Sequence, residues 1–170
     1  MNIFAIEGDE TTGEVNWYLS GRTQDNYRTV KMILESTQLL STAMHLNGME
    51  GPYKPNHPKH PSTLWTAESS ANWVSLLSHA FALCEEYEER FNKKHKCYNI
   101  LLDMSKKVDV KKFASNFPTP LKLAMPDEFR SENVVKSYRD YYASKPRMRY
   151  PKNKVPDWFL KRRKLPYQAV

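Results

Sequence analysis

Cysteine is scarce in this chain, long apolar runs are missing, and the opening residues carry no basic leader. Cys84 and Cys97 are the only two cysteines, show neither CxxC nor CxxH spacing, and are too few for a disulfide framework. Free thiols in a reducing, cytoplasmic setting are therefore expected. Every apolar run stops short of the roughly 18 residues of a membrane span, which excludes a membrane partner from the reading. The opening MNIFAIEGDE is acidic, so no signal or transit peptide is expected. Internal repeats and long disordered linkers are also lacking.

Two histidines three apart raise the question of a metal in the segment GMEGPYKPNHPKHPS, which has four prolines, two glycines and no helical period and reads as a loop. It holds His57 and His60, yet its prolines preclude a helix that would aim both rings at one ion. No cysteine or carboxylate follows within a few residues to complete a coordination shell. Neither a metal site nor a cofactor is expected.

What is present suits a soluble globular domain: 170 residues, 40% hydrophobic and 26% charged. The net charge of +7 is unevenly spread, because residues 145–170 hold nine cations against the single acid Asp157. Tyr150, Trp158, Phe159 and Tyr167 lie among those cations, where they can stack on bases or pack back onto the body. Arg147, Arg149, Lys161, Arg162 and Arg163 are the cations expected to neutralise phosphates, with duplex DNA as the leading partner. The chain reads as a helical body over 1–144 and a basic, aromatic tail over 145–170 belonging to the same domain.

The segment Asp25–His45 is the expected central helix, with Asp25 as its N-cap and its end near Asn47–Gly48. At helical spacing Val30, Ile33, Leu34, Leu40 and Met44 form one apolar arc and Met32, Leu39 and Ala43 a second. Between them runs a polar row, Arg28, Lys31, Glu35, Gln38, Thr42 and His45. A polar row flanked by two apolar arcs predicts a helix packed on two sides and open along a charged cleft. A second long helix is expected over Ser62–Lys94, where Glu68, Asn72, Ser75 and His79 make another row that would face the same cleft. A shorter basic helix is expected over 105–117 and another over Ser131–Ser144. The runs NIFAI and VNWYL near the start are β-prone. The expected fold is mainly α, a compact single-domain helical bundle with a short extended N-terminal segment.

The spacing Asp25-x-x-Arg28-x-x-Lys31-x-x-x-Glu35-x-x-Gln38 resembles a helix of the pyrimidine-dimer DNA glycosylases of the endonuclease V type, small phage and bacterial proteins. His60-Pro61-x-x-x-Trp65 resembles the NHP-x-x-x-W motif of that group, with Lys59 where Asn is usual. Over nearly the whole chain, Val30 to Ala43, His60 to Asn72, Leu123 to Glu128 and Tyr138 to Tyr142 resemble motifs of short phage proteins in the same order. The resemblance implies a mainly helical, DNA-binding fold that acts on a damaged or modified base. It also implies an amine at the processed N-terminus that attacks the sugar C1′, assisted by a carboxylate placed before an arginine as Asp25 is before Arg28. Here the sequence departs from the pattern, since Asn2 is large for efficient removal of Met1.

Base excision needs a group to stabilise developing oxocarbenium charge and an amine or activated water. Asp25 or Glu35 can supply the carboxylate. Arg28, Lys31, Gln38 and His60 are candidates to hold phosphate or orient the nucleic acid, Lys31 doubling as a candidate amine. Trp65, Trp73 or Tyr27 can receive a flipped base, the alternative for the tryptophans being the core. The sequence thus reads as a DNA-binding enzyme of glycosylase and AP-lyase type acting on a damaged or modified pyrimidine. The alternatives are a base-modifying transferase of related fold, a non-catalytic nucleic-acid-binding module, and a nucleotide-binding protein.

Overall fold

Asp25 starts an apolar-patterned stretch with two apolar arcs, and the computed structural model, which describes residues 1–170, builds its central helix there. Helix α2 spans Asn26–Leu46, with the Asp25 carboxylate accepting from the Tyr27 N–H. It stops at Asn47, after which Gly48 takes a positive φ of 68° that a residue with a Cβ would adopt at a cost. Before it lies α1, Trp17–Arg22, and after it come α3, Pro61–Glu68, α4, Ser70–Phe91, and α5, Cys97–Lys107. Helix α6 covers Val134–Ala143 and α7 covers Asp157–Arg162. Strands β1, Met148–Tyr150, and β2, Tyr167–Ala169, pair in parallel with Met148 opposite Tyr167. The fold is mainly helical, as expected, and no helix is long and apolar enough to cross a membrane.

The boundaries differ from the sequence reading in four places. The expected helix over Ser62–Lys94 is two helices, because Ser69 turns extended (φ −149°, ψ 156°) and its hydroxyl caps α4 by accepting from the Asn72 N–H. The β-prone VNWYL becomes the start of α1, since the Asn16 side chain accepts from the Leu19 N–H and caps a helix instead. NIFAI forms no strand, and a single bridge joins Gly8 to Val15. The helix expected over 105–117 lies earlier, at Cys97–Lys107, where Cys97, Leu101 and Met104 recur on its buried side.

One core runs through the whole chain. Ile3, Phe4, Ala5 and Ile6 are buried at its centre beside Ile33, Leu40 and Met44 of α2 and Tyr138 and Tyr142 of α6. Trp65 and Trp73 are each 1% exposed, and their indole N–H groups donate to the carbonyls of Thr119 and Leu40. They are core residues and do not face a bound base. Tyr150, Trp158 and Phe159 close the same core from the C-terminal segment, which packs onto the body as an integral layer. Lys154 pairs with Glu86 and Glu89 of α4, and Arg162 with Glu10 and Asp140, which fixes that layer at its edges. Cys84 and Cys97 are free, buried thiols, and burial with the nearby Cys97 thiol pushes the Cys84 thiol up to about 12.

Helix α2 is the axis of this packing. It touches α4, α3, α5 and β1, and only one strip of it faces outward. That strip carries Tyr27, Val30, Lys31 and Leu34 exposed, with Glu35 and Gln38 half-buried beside them. Val30 and Leu34, expected on an apolar arc against the core, are 43% and 42% exposed and line the open strip itself.

Candidate functional site

Two hollows flank the open strip of α2. The first, of about 560 Å³, lies between the start of α2, the first residues of the chain and the turn after α6. Its polar lining is Asn2, Arg28, Lys31, Glu35, Lys145 and Arg147, and its walls include Met1, Phe4, Tyr27 and Tyr141. Lys31, Lys145 and Arg147 face the one carboxylate Glu35 there, while Arg28 is paired with Asp25 beneath, a balance that still draws an anion into the hollow. Glu35 keeps a side-chain exposure of 15% and meets Lys31 at 3.4 Å, while the Lys31 side chain is 70% exposed.

Asp25 sits beneath this cleft instead of in it. Its side chain is wholly buried and accepts from the Tyr142 hydroxyl at 2.8 Å, the Tyr27 N–H at 3.2 Å and the Arg149 N–H at 3.4 Å. Arg28 lies over it, with Nη1 at 3.3 Å from both carboxylate oxygens. The same guanidinium donates to the carbonyls of Pro146 at 3.3 Å and Arg147 at 3.5 Å. Burial, then the charge of Asp25, raises the Tyr142 phenol far above its usual range, so it stays a donor. The Asp25–Arg28–Tyr142 cluster thus clasps the turn 146–149 against α2. Arg147 in that turn takes a left-handed φ of 54°, rare for a residue with a side chain, and is exposed at the rim of the cleft. Of the two candidate carboxylates, only Glu35 reaches the cleft surface.

His60 caps α3, its Nδ1 accepting from the Ser62 N–H at 3.1 Å. Burial, then the positive charges of the Met1 amine and His57, lower its pKa below 6.5, with Glu35 pulling the other way. It is a neutral capping residue close to the first cleft but outside its lining. Thr42 and His45, the end of the polar row on α2, hold the proline-rich loop through the backbone of Asn56 and the Tyr53 carbonyl. The row on α3 and α4 does not share the cleft. Asn72 and His79 are each 1% exposed, and His79 meets the Trp17 carbonyl at 3.0 Å and the Gln24 side chain at 3.2 Å.

The second hollow, about 660 Å³, lies across the α2 strip, between α2, Tyr53, Tyr87 and the turn from α4 to α5. Gln38 lines it with Val30, Leu34 and Lys93–Cys97, and Lys31 and Glu35 line both hollows. Burial, then the Cys97 thiol, pushes the Tyr53 phenol up to about 12, so it stays neutral there.

The C-terminal cations divide. Arg147 joins the first cleft, and Arg149 is exposed nearby with its N–H on Asp25. Lys161 and Arg162 line a separate hollow with Asp140, where Arg162 is held in ion pairs to Glu10 and Asp140. Arg163 turns inward and donates to the carbonyls of Ala143, Lys145, Leu165 and Pro166. Neither arginine is a free phosphate ligand. The sequence reading passed over Asn2, Phe4 and Tyr141 as cleft residues. Nothing local marks them, because they come from the chain's start and from α6 and meet α2 only through the core.

No family model, curated protein or solved structure matches this chain.

Proposed function

We propose that the first cleft is the active site of a DNA-binding enzyme that acts on a damaged or modified pyrimidine by glycosylase and lyase chemistry. One observation carries the reading: Met1, Lys31 and Glu35 line one hollow rimmed by Arg28, Lys145 and Arg147. Excision needs an amine, a carboxylate and phosphate-binding cations at one place, and these residues supply all three. An unprotonated amine would attack the sugar C1′ while the bond from C1′ to the base breaks and its electron pair leaves with the base. Glu35 would stabilise the positive charge that develops on the sugar and accept the proton the amine releases. The resulting adduct opens to an imine that hydride can reduce. Lys145 and Arg147 would hold the flanking phosphates, with Arg28 clasping the turn that presents Arg147, and Tyr27, half exposed at the cleft wall, offers a face to an unstacked base. The motif resemblance to pyrimidine-dimer glycosylases agrees with this chemistry, and we place the activity in the cytoplasm of a bacterial or phage-infected cell.

The test is incubation with end-labelled duplexes bearing a thymine dimer, an abasic site or 5-hydroxymethyluracil, with borohydride present. We expect a trapped protein–DNA adduct, mapped to Lys31 or to the Met1 amine, and its loss in Glu35→Gln with duplex affinity retained. Binding with no adduct, base release or strand cut on any substrate would overturn the glycosylase reading. That result would favour base modification or simple binding.

A further inference from the structure

Resting on the reading of the first cleft as a nucleic-acid site, we infer that the second hollow carries the same bound nucleic acid onward, its backbone lying along Lys93, Lys94 and Lys96 of the α4–α5 turn. In the sequence these lysines look like a solvated helix end. In the fold they stand across α2 from the first cleft, and Lys31 and Glu35 belong to the walls of both hollows. A strand leaving the first cleft over the α2 strip enters the second without crossing an acidic barrier, because Glu35 is the only acid in either lining and Lys31 already pairs with it.

Charge and surface chemistry select the occupant. Lys93, Lys94 and Lys96 are exposed and none of them makes an ion pair, whereas other cations of the body, such as Arg22, Arg90, Arg139 and Lys154, are spent on carboxylates. Lys94 also lies over the Tyr98 ring, its ammonium 4.8 Å from the centroid. Below the lysines the floor is apolar and aromatic: Val30 and Leu34 are left nearly half exposed, and the His95 ring stands edge-on to Tyr87 at 5.0 Å. Unpaired cations over a floor of apolar and ring surfaces match a phosphodiester backbone with sugar and base faces turned inward. An acidic polypeptide would satisfy the lysines but leave that floor unused.

The test compares the full chain with a Lys93→Gln, Lys94→Gln, Lys96→Gln variant, titrating a labelled duplex and a labelled single strand over a range of salt. These side chains are on a surface turn, and a thermal melt checks that the variant folds. We expect the slope of log affinity against log salt to flatten by roughly 2–3 for the strand form that occupies the hollow. A control with Lys106→Gln and Lys111→Gln, exposed lysines outside both hollows, keeps the wild-type slope. An unchanged slope in the triple variant, with wild-type binding intact, overturns this inference and leaves the first cleft's assignment standing. A wild-type chain that binds neither nucleic acid overturns both. Retention of wild type but not the triple variant on immobilised poly-glutamate, with no effect on nucleic acid, would assign the lysines to an acidic protein partner instead.

Discussion

At the scale of single residues, two carboxylates that look equivalent on one helix have opposite fates. Asp25 is buried with its hydrogen-bonding capacity filled, and Glu35, three turns on, is left at the surface of a cleft. Burial makes Asp25 costly to disturb, since removing its charge strands the Arg28 guanidinium over a dry site and loosens the turn that presents Arg147. Asp25→Asn should lower unfolding free energy by about 3 kcal/mol. Glu35→Gln, which breaks only a single pair to the well-solvated Lys31, should change it by less than about 1 kcal/mol. Urea unfolding of the two variants checks this, and equal losses would place both carboxylates in the same structural role. The N-cap role of Asp25 was legible from its place before the helix, but its burial depends on Tyr142 and Arg149, far along the chain.

At the scale of elements, α1 lies so close on α4 that a Cβ at Gly21 would stand 2.6 Å from the His79 carbonyl oxygen. His79 completes the contact by hydrogen bonding to the Trp17 carbonyl. Burial, opposed only by that bond, lowers its pKa from 6.5 to about 4. The folded state thus binds fewer protons than the unfolded state between these values, and stability falls as pH drops through the window. The loss attributable to His79 approaches about 3 kcal/mol at the acid end. Melting curves from neutral to acid pH should show a steeper decline for wild type than for His79→Gln; parallel declines would refute the assignment. Helical periodicity placed His79 on a polar row with Glu68, Asn72 and Ser75. Periodicity finds a face but cannot say what covers it, and here α1 covers it. The break at Ser69 was hidden for a related reason, because apolar spacing continues through it while the chain turns to satisfy Asn72 and Thr119.

For the whole molecule, the C-terminal segment is a layer of the core before it is a source of charge. Met148, Tyr150, Trp158 and Phe159 are buried in it. Deleting residues 145–170 should therefore abolish the cooperative thermal transition seen by circular dichroism. Charge is better tested by substitution: Arg147→Gln, Arg149→Gln and Lys152→Gln, all exposed, should leave the melt in place and flatten the salt dependence of duplex binding by roughly 2–3. A truncated chain that still melts cooperatively would show the segment to be an appendage. The aromatic residues among the cations pointed toward either stacking on bases or docking on the body. The docking of Trp158 under Arg139 and its bond to Glu7 settle which, by contacts with the start of the chain.

By itself the sequence determined the helical class, the start and end of α2, the proline-rich connection and the basic bias of the last residues. These follow from local rules of spacing, capping and composition that act within a few residues. Only the tertiary structure decided which members of the polar row stay open, that Glu35 and not Asp25 lines the cleft, and that Met1 and Lys145 join it. It also spent Arg162 and Arg163 on internal partners while leaving Lys93, Lys94 and Lys96 free. The physical reason is that exposure and pairing are set by what other segments bring against a side chain, and those segments meet through the core from opposite ends of the sequence.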